Sequence, residues 1–259
     1  IRDFSLDFFS LAGKRAIVTG GNRGLGQAYA VAMAKAGADL YIPTVADDDG
    51  TTTELIEAEG RRCEIVTADL TVEGAPAEVV QGCVDTLGGV DIVVNNGGVL
   101  GQGDYASDKI FENLDWEIDV NVKGLLRVAR AFVPVLKANG GGAFAQLNSV
   151  ASLRNFADFT TYCASKAASY SITQGLHDLL AEEGIDIVSV HPGPIQTDMA
   201  NDAGFGDGSP PPSVVADALI AALKAGEFHC FPDPMAQQVW AGYEPFARGV
   251  VEPKMEAEA

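Results

Sequence analysis

Short apolar runs alternate with longer stretches of helical periodicity along most of this chain. The runs at residues 16–19, 39–42, 62–67, 92–95, 143–148 and 187–191 are mostly apolar, several rich in Val and Ile. They are only a few residues long, so they predict strands buried on both faces. Helical stretches are predicted between them, near residues 25–36, 53–59, 77–87, 116–137 and 162–183. Buried strands alternating with helices imply an α/β fold, a doubly wound, mostly parallel sheet with helices on both faces. No repeat or linker interrupts the pattern. One domain over residues 11–250 is expected, after an arm at 1–10 and before a frayed tail at 251–259.

In such sheets ligands bind beyond the carboxyl ends of the strands. The first predicted strand runs into Gly20-Gly21-Asn22-Arg23-Gly24-Leu25-Gly26, and an Ala-rich helix follows. Strand, glycine turn and helix are the context of a dinucleotide site, the Rossmann arrangement. The glycines let the backbone approach a pyrophosphate, which free N–H groups at the helix start then bind. Asn95-Asn96, Ser149 and Pro192-Gly193 also follow strands, so all four segments are expected at one rim.

Tyr162 and Lys166 stand four residues apart on one predicted helix, with Ser149 upstream in an S-x12-Y-x3-K spacing. A phenol titrates near pH ~10 and moves protons poorly at neutral pH unless a cation stabilises its phenolate. A lysine at i+4 shares its helix face and supplies that cation. A serine hydroxyl beside them suits a carbonyl or alcohol oxygen.

Together these motifs resemble the short-chain dehydrogenase/reductase family. Thr19 to Gly26 fits its T-G-x3-G-x-G pattern, and Asn95-Asn96-Gly97-Gly98 fits N-N-A-G with glycine replacing alanine. Asn121, Ser149, Tyr162 and Lys166 fit its catalytic positions, and Pro192-Gly193-Pro194 fits its turn after a late strand. The resemblance runs from residue 11 to 199. It implies hydride transfer between a nicotinamide and a carbonyl or secondary alcohol. Tyr162 would be the acid/base, and Lys166 would lower its pKa and hold the ribose. Ser149 would bind the substrate oxygen, and Asn121 would anchor a relay water. It further implies cofactor contacts from Gly20, Asn22, Arg23, Gly24, Leu25, Gly26, Thr44, Asp69, Leu70, Asn96, Gly97, Gly98, Tyr162, Lys166, Pro192, Gly193, Ile195 and Thr197.

Relatives that use NAD carry an acid at the end of the second strand, where this chain has Thr44. Arg23 stands where a basic residue meets the 2′-phosphate of NADP, and guanidinium suits phosphate. NADP(H) is therefore expected over NAD(H). The nearby Asp47-Asp48-Asp49 run pulls the other way if it folds back.

The net charge of −19 argues against nucleic acid or anionic membrane as partner. No apolar run approaches the ~18 residues of a membrane span, and no signal peptide is visible. Cys63, Cys83, Cys163 and Cys230 are scattered, and the three histidines lack ligand spacing. Reduced thiols, a cytoplasmic location and no metal are expected. Ala151, Leu153, Phe156, Phe159, Met199 and Phe205 suggest an apolar pocket for an alkyl or aryl ketone, with residues 200–212 as a flexible lid or an inert loop. A sugar or polyol dehydrogenase, a dehydratase or epimerase, and a non-enzymatic NADP(H)-binding protein remain open. The C-terminal part departs from the family. A helix at 214–225, a short strand within 226–232 and a helix at 235–250 are expected there. The usual tetramer is thereby in doubt, and a homodimer or homotetramer is the expected assembly.

Overall fold

The computed structural model describes residues 10–206 and 208–252; residues 1–9 of the expected arm and 253–259 of the expected tail lie outside the described residues. Seven strands form one sheet: β1 (Arg15–Val18), β2 (Asp39–Thr44), β3 (Cys63–Thr67), β4 (Ile92–Asn95), β5 (Gly142–Leu147), β6 (Ile185–Val190) and β7 (His229–Cys230). Their spatial order is β3-β2-β1-β4-β5-β6-β7, and every pairing is parallel. The order reverses between β1 and β4, which opens a crevice at their carboxyl ends.

The helices are α1 (Gly24–Lys35), α2 (Thr51–Ala58), α3 (Ala75–Leu87), α4 (Ile110–Glu117), α5 (Gly124–Ala138), α6 (Thr160–Leu180), α7 (Asp198–Asp202), α8 (Pro212–Ala225) and α9 (Pro234–Phe246). Successive strand residues point to opposite faces, so each strand feeds two cores. Ala16 and Val18 of β1, with Leu40, Ile42, Ile92 and Val94, pack against Met33 of α1 and Leu219 of α8. Ile17, Tyr41, Val93 and Phe144 face the other way, onto α3, α5 and α6 through Val80, Phe132 and Tyr170. Both faces are apolar, which is why the strands read as continuous apolar runs.

Two predicted segments differ. The helix expected from 116 to 137 starts at Ile110 and is broken by a π turn, Ile118–Lys123, before α5. The polar residues Glu112, Asn113 and Asp115 masked its first turns, and periodicity cannot show the extra residue of a π turn. The segment expected as a loop from 200 opens instead inside α7, whose N-cap Thr197 accepts the Ala200 N–H. At the other end, Val251 closes a π turn after α9, and Glu252 bonds His229 and Arg248.

No helix among the described residues is long and apolar enough to cross a membrane. The four cysteines are free, and among the described residues no cluster of His, Cys, Asp and Glu could hold a metal.

Two helical glycines make a paired test of packing. A Cβ on Gly26 would lie 2.1 Å from the Gly20 carbonyl oxygen, whereas one on Gly175 of α6 would meet nothing within 4 Å. Gly26→Ala is expected to lower the thermal unfolding midpoint. Gly175→Ala is expected to raise stability by up to about 1 kcal/mol, the helix-propensity difference. Calorimetry of the two variants checks this.

Candidate active site

The glycine turn after β1 is built by conformations that few other residues adopt. Gly20 and Gly24 lie in the left-handed region at φ 62° and 56°. Gly26 lets α1 sit directly on the turn. Arg23 caps α1 without any side-chain bond to the helix, so the first N–H groups of α1 remain free to face the crevice. Thr19 laces this turn to the end of β4, its hydroxyl accepting from the amides of Asn96 and Gly97, both at 2.9 Å. Asn96 Nδ2 donates back to the Thr19 carbonyl at 2.9 Å.

A cleft of about 770 Å³ opens above these segments. It is lined by residues 19–20, 22–26, 69–70 and 96–98, and by Thr44, Tyr162, Lys166, Pro192, Gly193, Ile195 and Thr197, so every cofactor position implied by the sequence lines this cleft. At the end of β2 the Thr44 hydroxyl donates to Asn22 Oδ1 at 2.9 Å, and Asn22 Nδ2 donates to the Asp47 carbonyl at 3.0 Å. This fixes the strand end with Val45 and Ala46, not the acidic run, on the wall. Asp47, Asp48 and Asp49 are exposed. The Asp69 carboxylate accepts from both the amide and the hydroxyl of Thr71, and these bonds hold it below the usual carboxylate range.

Ser149, Tyr162 and Lys166 converge at the floor of the cleft. Ser149 caps a short 3-10 turn, its Oγ accepting from the Ala151 amide at 3.1 Å. Burial pushes the Tyr162 phenol up to about 12, and a hydrogen bond with Ser149 opposes that rise. Lys166 is 3% exposed, and burial pushes its ammonium down to about 8. Its Nζ donates to the Leu147 carbonyl at 2.8 Å and stands 5.8 Å from the Tyr162 ring centre. In this geometry Ser149 opposes the rise of the phenol, and Lys166 stands beside the ring.

Asn121 lies beneath the wall. Its Oδ1 accepts the Val99 N–H, and its Nδ2 donates to the Val99 carbonyl and the Ser165 hydroxyl, all at 2.9 Å. Both amide protons are used, so a relay water at this residue would donate to its oxygen atoms. Gly98 passes so close that a Cβ there would stand 3.3 Å from both Asn121 Oδ1 and Lys166 Nζ.

The outer part of the cleft is apolar. Ala151, Phe156, Phe159, Met199 and Phe205 line it as expected. Leu153 does not; it packs into the core beneath α6. Periodicity could not place it, because the 3-10 turn rotates it away. Leu100, Trp116, Ala203 and Met235 also line the cleft and were not singled out from sequence. Met235 arrives on α9, whose N-cap Asp233 also accepts the Gly193 amide at 2.7 Å. An Asp-Pro pair before a helix is a capping signal that could have pointed to it.

Below the floor, buried polar groups hold Ser149. His191 contacts the Ser152 hydroxyl and the Ser149 carbonyl through Nδ1, at 2.9 and 3.2 Å, and the Ser189 hydroxyl through Nε2 at 2.7 Å. Burial pushes its imidazole down to about 3, so it serves as a neutral spacer.

Comparison with known proteins agrees with this architecture. The family model described as short chain dehydrogenase matches residues 14–205. An uncharacterised oxidoreductase of Escherichia coli, YgcW, is 37% identical over 198 residues, covering 76% of this chain and 75% of that protein. An uncharacterised NAD-dependent oxidoreductase of Mycobacterium tuberculosis is 35% identical over 250 residues, covering 88% of this chain and 84% of its own. Among solved structures, a 7α-hydroxysteroid dehydrogenase complexed with NADH and 7-oxo glycochenodeoxycholic acid superposes with a TM-score of 0.80 at 25% identity. That match covers 87% of this chain and 94% of the other. Matched over most of its length in sequence and in fold, the chain belongs to the short-chain dehydrogenase family.

Proposed function

We propose that the cleft binds a nicotinamide dinucleotide and reduces an apolar alkyl or aryl ketone to the secondary alcohol, or runs the reverse. The observation that carries this reading is the convergence of Ser149, Tyr162 and Lys166 with the glycine turn in one apolar-walled cleft. The cradle suits a pyrophosphate, because α1 presents uncapped N–H groups over glycines that leave room for it. Gly20 to Gly26 would hold the phosphates, Asp69 and Leu70 the adenine end, and Asn96 to Gly98 with Lys166 the nicotinamide ribose. When bound, the reduced nicotinamide supplies the hydride.

The protein's own part is to move one proton. A phenol held near 12 is fully protonated at neutral pH, so Tyr162 is set as the donor to the carbonyl oxygen. The Ser149 hydroxyl hydrogen-bonds that oxygen as charge develops on it. The Lys166 ammonium stabilises the phenolate left behind. Asn121 holds the backbone of Val99 against the site. The substrate class follows from the walls, where the expected phenylalanines and Met199 offer no cation to a carboxylate or phosphate. The superposed structure binds a 7-oxo bile-acid conjugate, a ketone on a hydrocarbon ring system that also carries a carboxylate.

We further propose NADP(H) over NAD(H). Thr44 is neutral and already bonded to Asn22, and the acidic run stays off the wall. Arg23 is exposed on the cleft, and its side chain makes no hydrogen bond or ion pair among the described residues. The mycobacterial relative named NAD-dependent supports the opposite preference, so both cofactors belong in the assay. Phe111, Leu126 and Leu179 stand exposed on α4, α5 and α6, which supports a second copy as partner.

Tyr162→Phe is expected to lower turnover of apolar ketones at least about a hundredfold, the usual contribution of a positioned acid, with cofactor affinity retained. Near-normal turnover in that variant would sink the mechanism. Arg23→Ala is expected to raise KM for NADPH about tenfold, the loss of a charge-assisted bond, and to leave KM for NADH unchanged; steady-state kinetics with both cofactors reads this. Reduction should also hold level below about pH 8 and decline above it. Lys166 there loses the proton that its phenolate partner needs. A pH–rate profile of kcat checks the sign, and a rise through that range would contradict it.

A further inference from the structure

Three side chains on one face of α4 and its π turn grip the same stretch of backbone. Asn113, Glu117 and Asn121 follow one another at four-residue spacing, which places them one above another. Asn113 Nδ2 donates to the Gln102 carbonyl at 3.0 Å, Glu117 Oε1 accepts the Gly101 amide at 2.7 Å, and Asn121 holds Val99 from both sides. The loop lies so close that a Cβ on Gly101 would stand 2.6 Å from Asn113 Cγ. Leu100, between the gripped residues, packs in the small cluster that contains Tyr162, Phe159 and Cys163. Gln102 in turn donates to the Asp202 carbonyl of α7 at 3.1 Å.

Glu117 is the unexpected rung. It is 0% exposed and makes no ion pair among the described residues. Its second oxygen and the Thr161 hydroxyl are both buried, both lack a completed hydrogen bond, and act on each other electrostatically. Thr161 immediately precedes Tyr162. A buried carboxyl group is costly unless something needs it there.

We propose that Glu117 is a positioning residue of the reaction: from the buried end of α4 it holds the Gly101 backbone beside the first turn of α6, and so sets the placement of the Tyr162 phenol. This rests on Tyr162 being the proton donor. Burial raises the Glu117 carboxyl, and the bond from Gly101 and the neighbouring Thr161 hydroxyl oppose that rise. After burial and against the pull of Ser149, the charges of Cys163 and Glu117 push the phenol up. The other charged or titratable groups around the two are Lys166 on α6 and, on the cleft wall, Asp119 and Asp198; residues 96–103 carry none.

Two variants test it beside Tyr162→Phe. Glu117→Gln keeps an oxygen for Gly101 and removes the charge. It is expected to fold, to bind cofactor normally and to lower the midpoint of Tyr162 ionisation, read as the near-ultraviolet absorbance titration that is missing in Tyr162→Phe. Glu117→Leu removes the acceptor as well and is expected to lower kcat at least about tenfold, as loss of a bond to a charged group implies, with KM for cofactor unchanged. An unmoved phenol in Glu117→Gln would overturn the inference, and this titration decides if the leucine variant does not fold. An inactive Tyr162→Phe beside a fully active Glu117→Leu would overturn this inference alone. Turnover retained in Tyr162→Phe would overturn the parent reading and this one with it.

Discussion

The seat of α1 on the end of β1 is the contact from which the rest of the site is placed. Gly26 brings the helix against the Gly20 carbonyl closer than any side chain allows, and Gly20 and Gly24 turn the chain through left-handed backbone to get there. That contact points the free N–H groups of α1 into the crevice. Thr19, last before the turn, then ties β1 to the segment after β4 through three hydrogen bonds. The crevice thus has a rigid inner wall before any catalytic side chain is considered. The reversal of strand order between β1 and β4 gives it depth.

On that frame the chain buries groups that burial disfavours. Lys166 and Tyr162 both leave water, and each shifts toward its neutral form. Such displacement persists because the surrounding polar lattice is nearly complete. His191 spaces the floor under Ser149, and Asn148 bonds Ser169, Thr173 and Ser189 around it. Where that lattice is incomplete around the cleft, at Glu117 and Thr161, the incompleteness lies one residue from Tyr162, the proposed proton donor. Perturbed groups often gather where chemistry is done; Tyr162, Lys166 and Glu117 meet at one end of α6, while burial shifts Cys83, Cys230 and Tyr29 elsewhere in the core.

The sheet and the site were legible in the sequence to different depths, for physical reasons. Both faces of the strands are covered, so Ile92 to Asn95 and their neighbours stood out as apolar runs. The glycine spacing and the Ser149, Tyr162, Lys166 set were visible because close backbone approach and proton transfer each demand few residue types. What stayed hidden depended on turns that periodicity cannot register. The π turn after α4 decides that Asn121 faces Val99 and that Glu117 is buried. The 3-10 turn after Ser149 sends Leu153 into the core. Met235 enters the cleft from a helix far along the chain, so the capping signal at Asp233 and Pro234 marks its helix but only tertiary packing brings it to the cleft. The side to which the Asp47 run turns depended on the bond from Asn22 to the Asp47 carbonyl, which a single sequence does not show.

The central claim is that this cleft brings a nicotinamide and a carbonyl carbon together. It is tested most directly by reducing an apolar ketone with cofactor deuterated at the nicotinamide C4 and reading the product by mass spectrometry and NMR. The account predicts that deuterium passes to the carbinol carbon from one face of the nicotinamide only. Alcohol formed without deuterium at that carbon, or label from both faces alike, would contradict it.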